Sequence, residues 1–319
     1  MQIGSLKLKN PVFSAPMAGI SDLPYRLIMK RHGAALVFTE MISANGLFFN
    51  GKATRELLRS TPEERPLAIQ LFGENPQRLA DAARAVEDDC ELIDLNMGCP
   101  VRKVIRSGAG SALMQNPELV AKIIRSVRKA TDRPLTVKFR SGWDSHSVNY
   151  LEIGKIAEQE GADAVTLHPR TRTQMFGGDA DWAHIKELKK SLSIPVIGSG
   201  DLFNAAKIKT MFEQTGCDAV MVGRGGYGYP WIIEQALALL AGGSPSEPTP
   251  KQRYQVAKEH FGLCLETFGA RKTSGLMRKH LCWYARGMDG AASFRAEINR
   301  TRTIDEMNAT LEEFFANAV

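Results

Sequence analysis

Short apolar runs recur along the first part of the chain, and a segment with helical periodicity follows each of them. Most of the runs are continuously hydrophobic, which is typical of parallel strands that are covered on both faces. The pattern predicts eight strands, at Val12–Ala15, Leu36–Thr39, Leu67–Leu71, Leu92–Asn96, Leu135–Phe139, Ala164–His168, Val196–Ser199 and Ala219–Val222.

The segments between these runs predict amphipathic helices with recognisable ends. Asn75 and Asn116 are good capping residues, and each precedes a proline, which is favoured at the first helical position. The clearest helices are predicted at Pro76–Val86, Pro117–Lys129, Val148–Glu160 and Phe203–Gln214. Eight alternations over about 240 residues predict an α/β fold, the (β/α)8 TIM barrel. The alternative is a doubly wound open sheet, which usually has fewer strands.

The alternation stops near Leu240, and the rest of the chain has a different pattern. Residues 242–250 are rich in Gly, Ser and Pro, which indicates an extended linker. Only helical patterns follow, at Gln252–Phe268, Lys272–Arg286, Ala291–Arg300 and Ile304–Asn317. We therefore expect a barrel domain at 1–241, a linker at 242–250 and a small all-helical domain at 251–319.

Composition indicates an ordinary soluble globular protein. The 319 residues are 44% hydrophobic and carry a net charge of +6. No apolar run reaches the roughly 18 residues of a membrane-spanning helix, and the N-terminus shows no signal peptide. The cysteines are scattered, with no CxxC pair or metal-ligand spacing. We expect a cytoplasmic protein with free thiols, no metal and no membrane partner.

Basic residues are concentrated in two stretches. Residues 101–140 contain ten Lys or Arg against two acidic residues, and residues 270–302 contain eight against two. Such stretches point to a polyanionic partner. They equally fit solvated helix faces, and composition alone does not decide between the two interpretations.

Chemically active side chains follow several of the predicted strands. The carboxyl ends of barrel strands meet on one face, where TIM-barrel enzymes have their active sites. The residues at these ends are Met17, Gln70, Asn96, Cys99, Lys138, Arg140, His168, Arg170, Arg172, Asp201 and Arg224. This convergence predicts an enzyme. Glycine-rich loops after strands seven and eight, together with Arg224, favour a phosphate site over simple tight turns.

Three of these side chains allow more than one interpretation. Lys138 fits either a Schiff-base lysine or a cation beside an electron-rich cofactor ring. Cys99 lies in a Gly-Cys-Pro turn at the rim, so a functional thiol is favoured over a buried structural one. His168 lacks metal-ligand spacing, which argues against a metal role. Gly223–Gly228 matches GxGxxG, but no strand follows it to complete a dinucleotide-binding unit.

Taken together, the motifs resemble those of the tRNA-dihydrouridine synthases, most closely the bacterial B-type branch. The motifs are Ala15-Pro-Met-Ala-Gly19, Asn96-Met-Gly-Cys-Pro100 with Lys103-Val104, Gly108-Ala-Gly-Ser-Ala112, Lys138-x-Arg140, His168-x-Arg-Thr-Arg172, Gly223-Arg224 with Pro230-Trp231, Arg278-Lys279-His280 and Trp283-Tyr284. The resemblance implies FMN in the barrel mouth, NADPH or NADH as reductant and a uridine of tRNA as substrate.

The resemblance also implies a role for individual residues. The residues implied to bind the cofactor are Pro16, Met17, Ala18, Gln70, Lys138, His168, Ser199, Gly200, Asp201, Gly223 and Arg224. Those implied to bind substrate are Asn96, Arg140, Arg170 and Arg172 in the barrel and Arg278, Lys279, Arg295 and Arg300 in the helical domain. Cys99 is implied to be the general acid that protonates C5 of uracil after hydride reaches C6, a role that needs a neutral thiol.

The family also implies the target, a uridine of the tRNA D-loop, at nucleotide 17 by analogy, which must leave its stack to react. We expect a monomer. Two positions depart from the family pattern: Ser199 replaces a common Asn, and Pro169 replaces a common Gly. The competing hypotheses are a flavin barrel that acts on a free pyrimidine, like dihydroorotate dehydrogenases, a lyase with Lys138 as Schiff-base former, and, more remotely, an RNA-binding module.

Overall fold

The computed structural model describes residues 1–317, and its centre is a parallel barrel. The strands are β1 (Gln2–Ile3), β2 (Leu6–Lys7), β3 (Val12–Ser14), β4 (Val37–Phe38), β5 (Ile42–Ser43), β6 (Leu67–Phe72), β7 (Leu92–Met97), β8 (Leu135–Arg140), β9 (Ala164–His168), β10 (Val196–Ser199) and β11 (Ala219–Val222). The helices of the barrel region are α1 (Leu23–Arg31), α2 (Ala44–Phe48), α3 (Lys52–Glu56), α4 (Pro76–Val86), α5 (Arg102–Ile105), α6 (Pro117–Arg128), α7 (Tyr150–Gln159), α8 (Trp182–Ser191), α9 (Ala205–Thr215) and α10 (Trp231–Leu240).

The barrel strands follow one another in the order β3-β11-β10-β9-β8-β7-β6-β4, with every neighbouring pair parallel. Two backbone hydrogen bonds close the ring between the first and last strands. The N–H of Ser14 donates to the carbonyl of Leu36 at 3.0 Å, and that of Ala35 donates to the carbonyl of Val12 at 3.0 Å. The predicted TIM barrel is therefore confirmed, and each predicted strand overlaps one of the eight.

The register of the barrel sets the positions of its inward side chains. Gln70, Asp94 and Thr136 are successive register partners on β6, β7 and β8, so they lie at one level of the barrel. Asn96 and Lys138 are partners one level nearer the carboxyl ends. Because side chains alternate along a strand, these residues face the same side as one another. The barrel therefore brings polar groups together towards its mouth.

Three short strands were not predicted. β1 and β2 form an antiparallel hairpin whose Ile3 is fully buried against the apolar residues of the lower barrel. β5 pairs with the carboxyl end of β6, where Ile42 lies opposite Leu71. Each of these strands has only two residues, which is too short for a periodic hydrophobic pattern.

Three further helices follow the barrel in the described chain. They are α11 (Pro250–Tyr284), α12 (Ala291–Ile298) and α13 (Ile304–Ala316). α11 begins at Pro250, inside the expected linker, because Thr249 and Gln252 form a capping box around a proline at the first helical position. Gly269, at φ 72° and ψ 171°, breaks α11 between the two helices predicted there. Residues 318–319 of the expected helical domain lie outside the described residues.

The C-terminal helices pack directly on the barrel. α11 contributes His260 and His280, whose buried rings lie 6.3 and 6.1 Å from the ring of Tyr25 on α1. Trp283 of α11 stacks on Tyr227, with ring centroids 4.3 Å apart. Among residues 1–317 no helix combines the length and the hydropathy needed to cross a membrane.

A buried ion pair fixes α1 against the segment before β6. Arg26 and Glu64 are both almost fully buried and meet at 2.6 Å and 3.1 Å through two parallel hydrogen bonds. Nη1 and Nη2 of Arg26 also donate to the carbonyls of Ser21 and Arg59, at 2.8 and 2.7 Å respectively. Every polar group of the pair is therefore engaged inside the protein.

We expect Glu64→Ala to lower the free energy of unfolding by about 3–5 kcal/mol, because it leaves the buried guanidinium of Arg26 without its counter-ion. Urea unfolding followed by circular dichroism measures the change. The adjacent Glu63 pairs with Arg31 at the surface, so Glu63→Ala is the matched control and should cost less than about 1 kcal/mol. Equal effects of the two variants would contradict this assignment.

Candidate active site

A cavity of about 370 Å³ opens at the carboxyl ends of the barrel strands. Its volume falls within the range of small-molecule and cofactor sites. The predicted site residues that line it are Pro16, Met17, Ala18, Asn96, Cys99, Lys138, Arg140, His168, Ser199, Gly200, Asp201, Gly223 and Arg224. The structure thus brings together most of the side chains predicted for the barrel mouth.

Hydrogen bonds hold the turn that carries Cys99 on several sides. Asn96 Oδ1 accepts from the backbone N–H of Gly98 at 3.2 Å and of Cys99 at 2.9 Å. The carbonyl of Cys99 accepts from the N–H and the hydroxyl of Ser111 at 3.1 and 2.9 Å. Arg140 Nε donates to the carbonyl of Gly98 at 3.0 Å. The thiol is therefore presented to the cavity from a turn whose backbone is fixed.

A buried polar chain continues from this turn into the barrel. Asn96 Nδ2 donates to Gln70 Oε1 at 2.7 Å, and Gln70 Nε2 donates to Asp94 Oδ2 at 2.6 Å. The other carboxylate oxygen of Asp94 accepts from the hydroxyl of Thr136 at 2.6 Å. Gln70 is fully buried and does not line the cavity, so its side chain supports Asn96 across the barrel.

The environment of Cys99 favours the neutral thiol. Only 9% of the residue is exposed, and burial raises the pKa of Cys99 above its ordinary value of 9.0. A backbone hydrogen bond and the charges of Arg140 and Lys138 oppose that rise without cancelling it. Cys99 is therefore a protonated thiol at neutral pH, unlike a nucleophilic cysteine, whose pKa is depressed.

Lys138 and His168 also have displaced pKa values. Burial lowers the pKa of Lys138 to about 8, while the carboxylate of Asp94 opposes the fall and Arg140 adds to it. Burial lowers the pKa of His168 far below 6.5, and the neighbouring cations Lys138 and Arg140 lower it further. His168 is consequently neutral at pH 7. For Lys138, the repulsion from Arg140 contributes less than burial does.

The β10 and β11 loops form the other end of the cavity. Outside the strand ladders, the backbone N–H groups of Gly200, Asp201, Gly223 and Arg224 donate to no acceptor within residues 1–317. A Cβ added at Gly223 would meet Met17 and Ala15 only at 3.7 and 3.9 Å, so it would project into the cavity these residues line. This end of the cavity suits an anionic group, because it offers amide donors and because Gly223 has no side chain to fill the space.

Asp201 ties the loops of this end together. Its carboxylate accepts two hydrogen bonds from Arg170, at 2.9 and 2.7 Å, one from the N–H of Ala180 at 2.8 Å, and one from Arg224 at 3.3 Å. Burial alone would raise the pKa of Asp201, but these partners outweigh it and the pKa is lowered. The carboxylate of Asp201 is therefore committed to Arg170, Arg224 and the N–H of Ala180.

Two arginines predicted to bind substrate do not line the cavity. Arg170 is almost fully buried and is committed to Asp201 and to the carbonyl of Gly177. Arg172 lies with its guanidinium 4.4 Å from the ring centre of Trp143. Both side chains shape the loop after β9.

The four basic residues predicted in the C-terminal helices divide into two groups. Arg278 donates to the carbonyl of Thr301 at 2.8 Å, and Lys279 donates to the carbonyl of Gly19 in the loop after β3. These two side chains make contacts within the chain. Arg295 and Arg300, on and just after α12, are exposed.

Several residues that line the cavity are not predicted from the sequence, including Met41, Phe176 and Tyr227. Met41 Sδ lies 3.1 Å from Asn96 Nδ2, and it reaches the cavity because β5 extends the barrel beside β6. Phe176 lies 4.7 Å from the guanidinium of Arg224. All three residues follow predicted strands, which could have marked them as candidates for the cavity. The sequence does not show which side chains of these loops turn inward, because that depends on the conformation of the loops.

The two departures from the family pattern have clear local structures. The hydroxyl of Ser199 donates to the carbonyl of Met221 at 3.2 Å, which links β10 to β11. The carbonyl of Pro169 accepts from the N–H of Asp181 at 3.0 Å. Within residues 1–317, no group of three or more His, Cys, Asp or Glu side chains could hold a metal ion.

Comparison with known proteins identifies the family. The family model described as dihydrouridine synthase (Dus) matches residues 13–319. The chain belongs to the dihydrouridine synthase family. It is 42% identical to tRNA-dihydrouridine synthase B of Pasteurella multocida, over 99% of this chain and 96% of that protein. It is 38% identical to tRNA-dihydrouridine synthase B of Pseudomonas aeruginosa, again over 99% and 96%. Both the resemblance and the expected enzyme class, a flavin-dependent oxidoreductase, are confirmed.

Solved structures of lower identity share the fold of this dihydrouridine synthase. Histamine dehydrogenase from Rhizobium sp. 4-9 matches with a TM-score of 0.56 at 15% identity, over 76% of this chain and 47% of that one. A 2-naphthoyl-CoA reductase matches with a TM-score of 0.57 at 14% identity, over 76% and 52%. These likenesses concern the barrel fold.

We expect the alkylation rate of Cys99 by iodoacetamide to keep rising above pH 9, because burial raises the thiol pKa and only the thiolate reacts. Arg140→Met removes a cation that lowers this pKa and that is still charged at pH 9, so the profile should move to still higher pH. Mass spectrometry of the Cys99 peptide measures the rate. Lys190→Met, at an exposed position near the end of α8, should leave the profile unchanged. A midpoint below pH 9 in the unmodified protein would contradict the neutral thiol.

Proposed function

We propose that this enzyme reduces a uridine in the D-loop of tRNA to 5,6-dihydrouridine, with FMN as cofactor and NADPH or NADH as reductant. The observation that carries the proposal is a neutral thiol on a fixed turn at the wall of a cationic barrel cavity. Membership of the family and the name of the Pasteurella multocida relative support the reaction and the tRNA substrate.

The cavity fits FMN in both its charge and its shape. The free amide groups of Gly200 and Gly223, together with Arg224, would hold the phosphate. Pro16, Met17 and Ala18 provide an apolar wall for a flat ring. Lys138 makes no ion pair or hydrogen bond within residues 1–317 and would stabilise negative charge on the reduced ring. Bound reduced FMN would supply the hydride that C6 of uracil receives.

Cys99 would complete the reaction by transferring its proton to C5. The substrate gains one hydride and one proton, and the sulfur is left as a thiolate. Lys138 and Arg140 both stabilise that thiolate electrostatically. Asn96 would act indirectly. Its hydrogen bonds with the N–H groups of Gly98 and Cys99 would fix the direction in which the thiol points. Neutral His168 can donate one hydrogen bond without adding a further positive charge.

The exposed basic residues support a nucleic-acid substrate over a free pyrimidine. A uridine within tRNA must leave its base stack to reach the bottom of a cavity. Phosphate contacts around the opening would position the RNA for this step. Arg295 and Arg300 remain free for such contacts. A free pyrimidine would need neither them nor the C-terminal helices.

We expect Cys99→Ala to retain FMN and its reduction by NADPH but to lose uridine turnover by about 10²–10⁴-fold, the usual contribution of a general acid. The substrate is tRNA from cells that lack this chain. Absorbance follows the flavin, and mapping of dihydrouridine along the tRNA follows turnover.

The matched control for this variant is Cys282→Ala, which removes a half-buried thiol on α11 and should leave turnover unchanged. Full activity of Cys99→Ala would remove the acid assignment. Reduction of free uridine or orotate by the unmodified protein, without reduction of tRNA, would favour the free-pyrimidine alternative.

We expect the double variant Arg295→Ala/Arg300→Ala to bind tRNA more weakly and with a shallower dependence on salt. Each lost phosphate contact should reduce the slope of log Kd against log salt by about 1 or slightly less. Filter binding between low and moderate salt measures both quantities.

Lys190→Ala serves as the control here, because helix C-termini such as that of α8 lie on the face opposite the cavity. It should leave affinity and slope unchanged. If the double variant has the affinity and slope of the unmodified protein, α12 takes no part in RNA binding.

A further inference from the structure

Two neighbouring phenylalanines project into solvent where α2 ends. Phe48 is 57% exposed and Phe49 is 70% exposed. Their rings meet edge to face, with centroids 5.0 Å apart and an interplanar angle of 87°. The guanidinium of Arg78 lies 4.9 and 5.5 Å from the two ring centres. We call these three side chains the aromatic platform.

Arg78 is held in this place from its other side. Its Nη1 donates to Asn45 Oδ1 at 2.7 Å, and Asn45 Nδ2 donates to Glu74 at 3.3 Å. Arg78 forms no ion pair with a carboxylate in the described part of the chain, so its charge is available to a ligand. Two exposed rings beside a held cation form a surface that suits an aromatic, anionic partner.

The aromatic platform lies on the same face as the catalytic cavity. β5 pairs with the carboxyl end of β6, through Ile42 with Leu71 and Ser43 with Phe72, and α2 follows β5 directly. Met41, just before β5, lines the cavity and contacts Asn96. The chain therefore runs from the cavity wall to the platform within eight residues.

A basic surface adjoins the aromatic platform. Arg102, Lys103 and Arg106, on and just after α5, are exposed. The loop that follows them packs on the platform's support, since a Cβ at Gly108 would lie 3.6 Å from Cβ of Glu74. The first basic stretch of the sequence thus comes close to Glu74, which holds Asn45 and, through it, Arg78 of the platform.

We propose that the aromatic platform stacks on an unpaired base of the tRNA that lies near the reacting uridine. This inference rests on the proposed function. RNA loops present splayed bases, and proteins bind them by stacking on aromatic rings and guanidinium planes. Only two rings are exposed here and cations flank them, which favours an RNA base over an apolar protein surface.

The test compares Phe48→Ala/Phe49→Ala with Phe48→Leu/Phe49→Leu. Stacking of one base contributes roughly 1–3 kcal/mol, so each variant should raise the Kd and KM for tRNA by about fivefold to 150-fold. Turnover at saturating tRNA and the flavin absorbance should not change, because neither ring lines the cavity. Leucine retains apolar surface but cannot stack, so it should not restore affinity.

Phe49→Trp supplies a direct signal. An indole still stacks, so this variant should bind tRNA at least as well as the unmodified protein. Its added fluorescence, taken as the difference from the unmodified protein, should be quenched when tRNA binds. Leu240→Ala removes a partly exposed apolar side chain at the end of α10, and as the matched control it should leave Kd and KM unchanged.

The outcomes separate the aromatic platform from the proposed reaction. Unchanged tRNA affinity in the double alanine variant would overturn the proposal that the platform stacks on RNA. The exposed rings would then be assigned to a contact with another protein. Full affinity in the leucine variant overturns stacking. If the unmodified protein binds tRNA without reducing it while the variants still lose affinity, the reaction fails and the platform stands.

Discussion

The position of the Cys99 thiol depends on the carboxylate of Asp94, which is buried deeper in the barrel. Asp94 can remain inside the barrel only because Gln70 and Thr136 satisfy both of its oxygens. Gln70 then has a single orientation in which its carbonyl accepts from Asn96. Asn96 in turn has its own carbonyl free for the two amides of the Cys99 turn. The buried carboxylate of Asp94 thereby fixes the side chains of Gln70, Thr136 and Asn96 and the turn that carries Cys99.

The same carboxylate shapes the electrostatics of the cavity. Lys138 is the register partner of Asn96, one level above Asp94, and the attraction between the two charges opposes the effect of burial on each. The cation that results adds to the effect of burial in lowering the pKa of His168, and it opposes the rise that burial causes in the pKa of Cys99. The protonation states of Lys138, His168 and Cys99 are therefore set jointly by burial and by the neighbouring charges.

The sequence was sufficient for the barrel because a doubly covered strand must be apolar over most of its length. It was sufficient for Cys99 and Lys138 because residues at the carboxyl ends of strands must face the mouth. It could not assign Arg170 or Lys279. A charged group on a loop or helix can contact solvent, RNA or an acceptor inside the protein, and the sequence does not distinguish these. In the fold, Arg170 pairs with Asp201 and Lys279 donates to the carbonyl of Gly19.

The contacts of α11 show why the C-terminal helices cannot be regarded as a separate RNA-binding attachment. Lys279 holds the loop after β3 through Gly19, and Trp283, one turn further along the same helix, stacks on Tyr227 in the loop after β11. Backbone atoms of Trp283 approach so closely that a Cβ at Gly228 would lie 2.4 Å from them. β3 and β11 are neighbours in the barrel, and both loops wall the cavity. A displacement of α11 by bound RNA must therefore move the cavity wall with it.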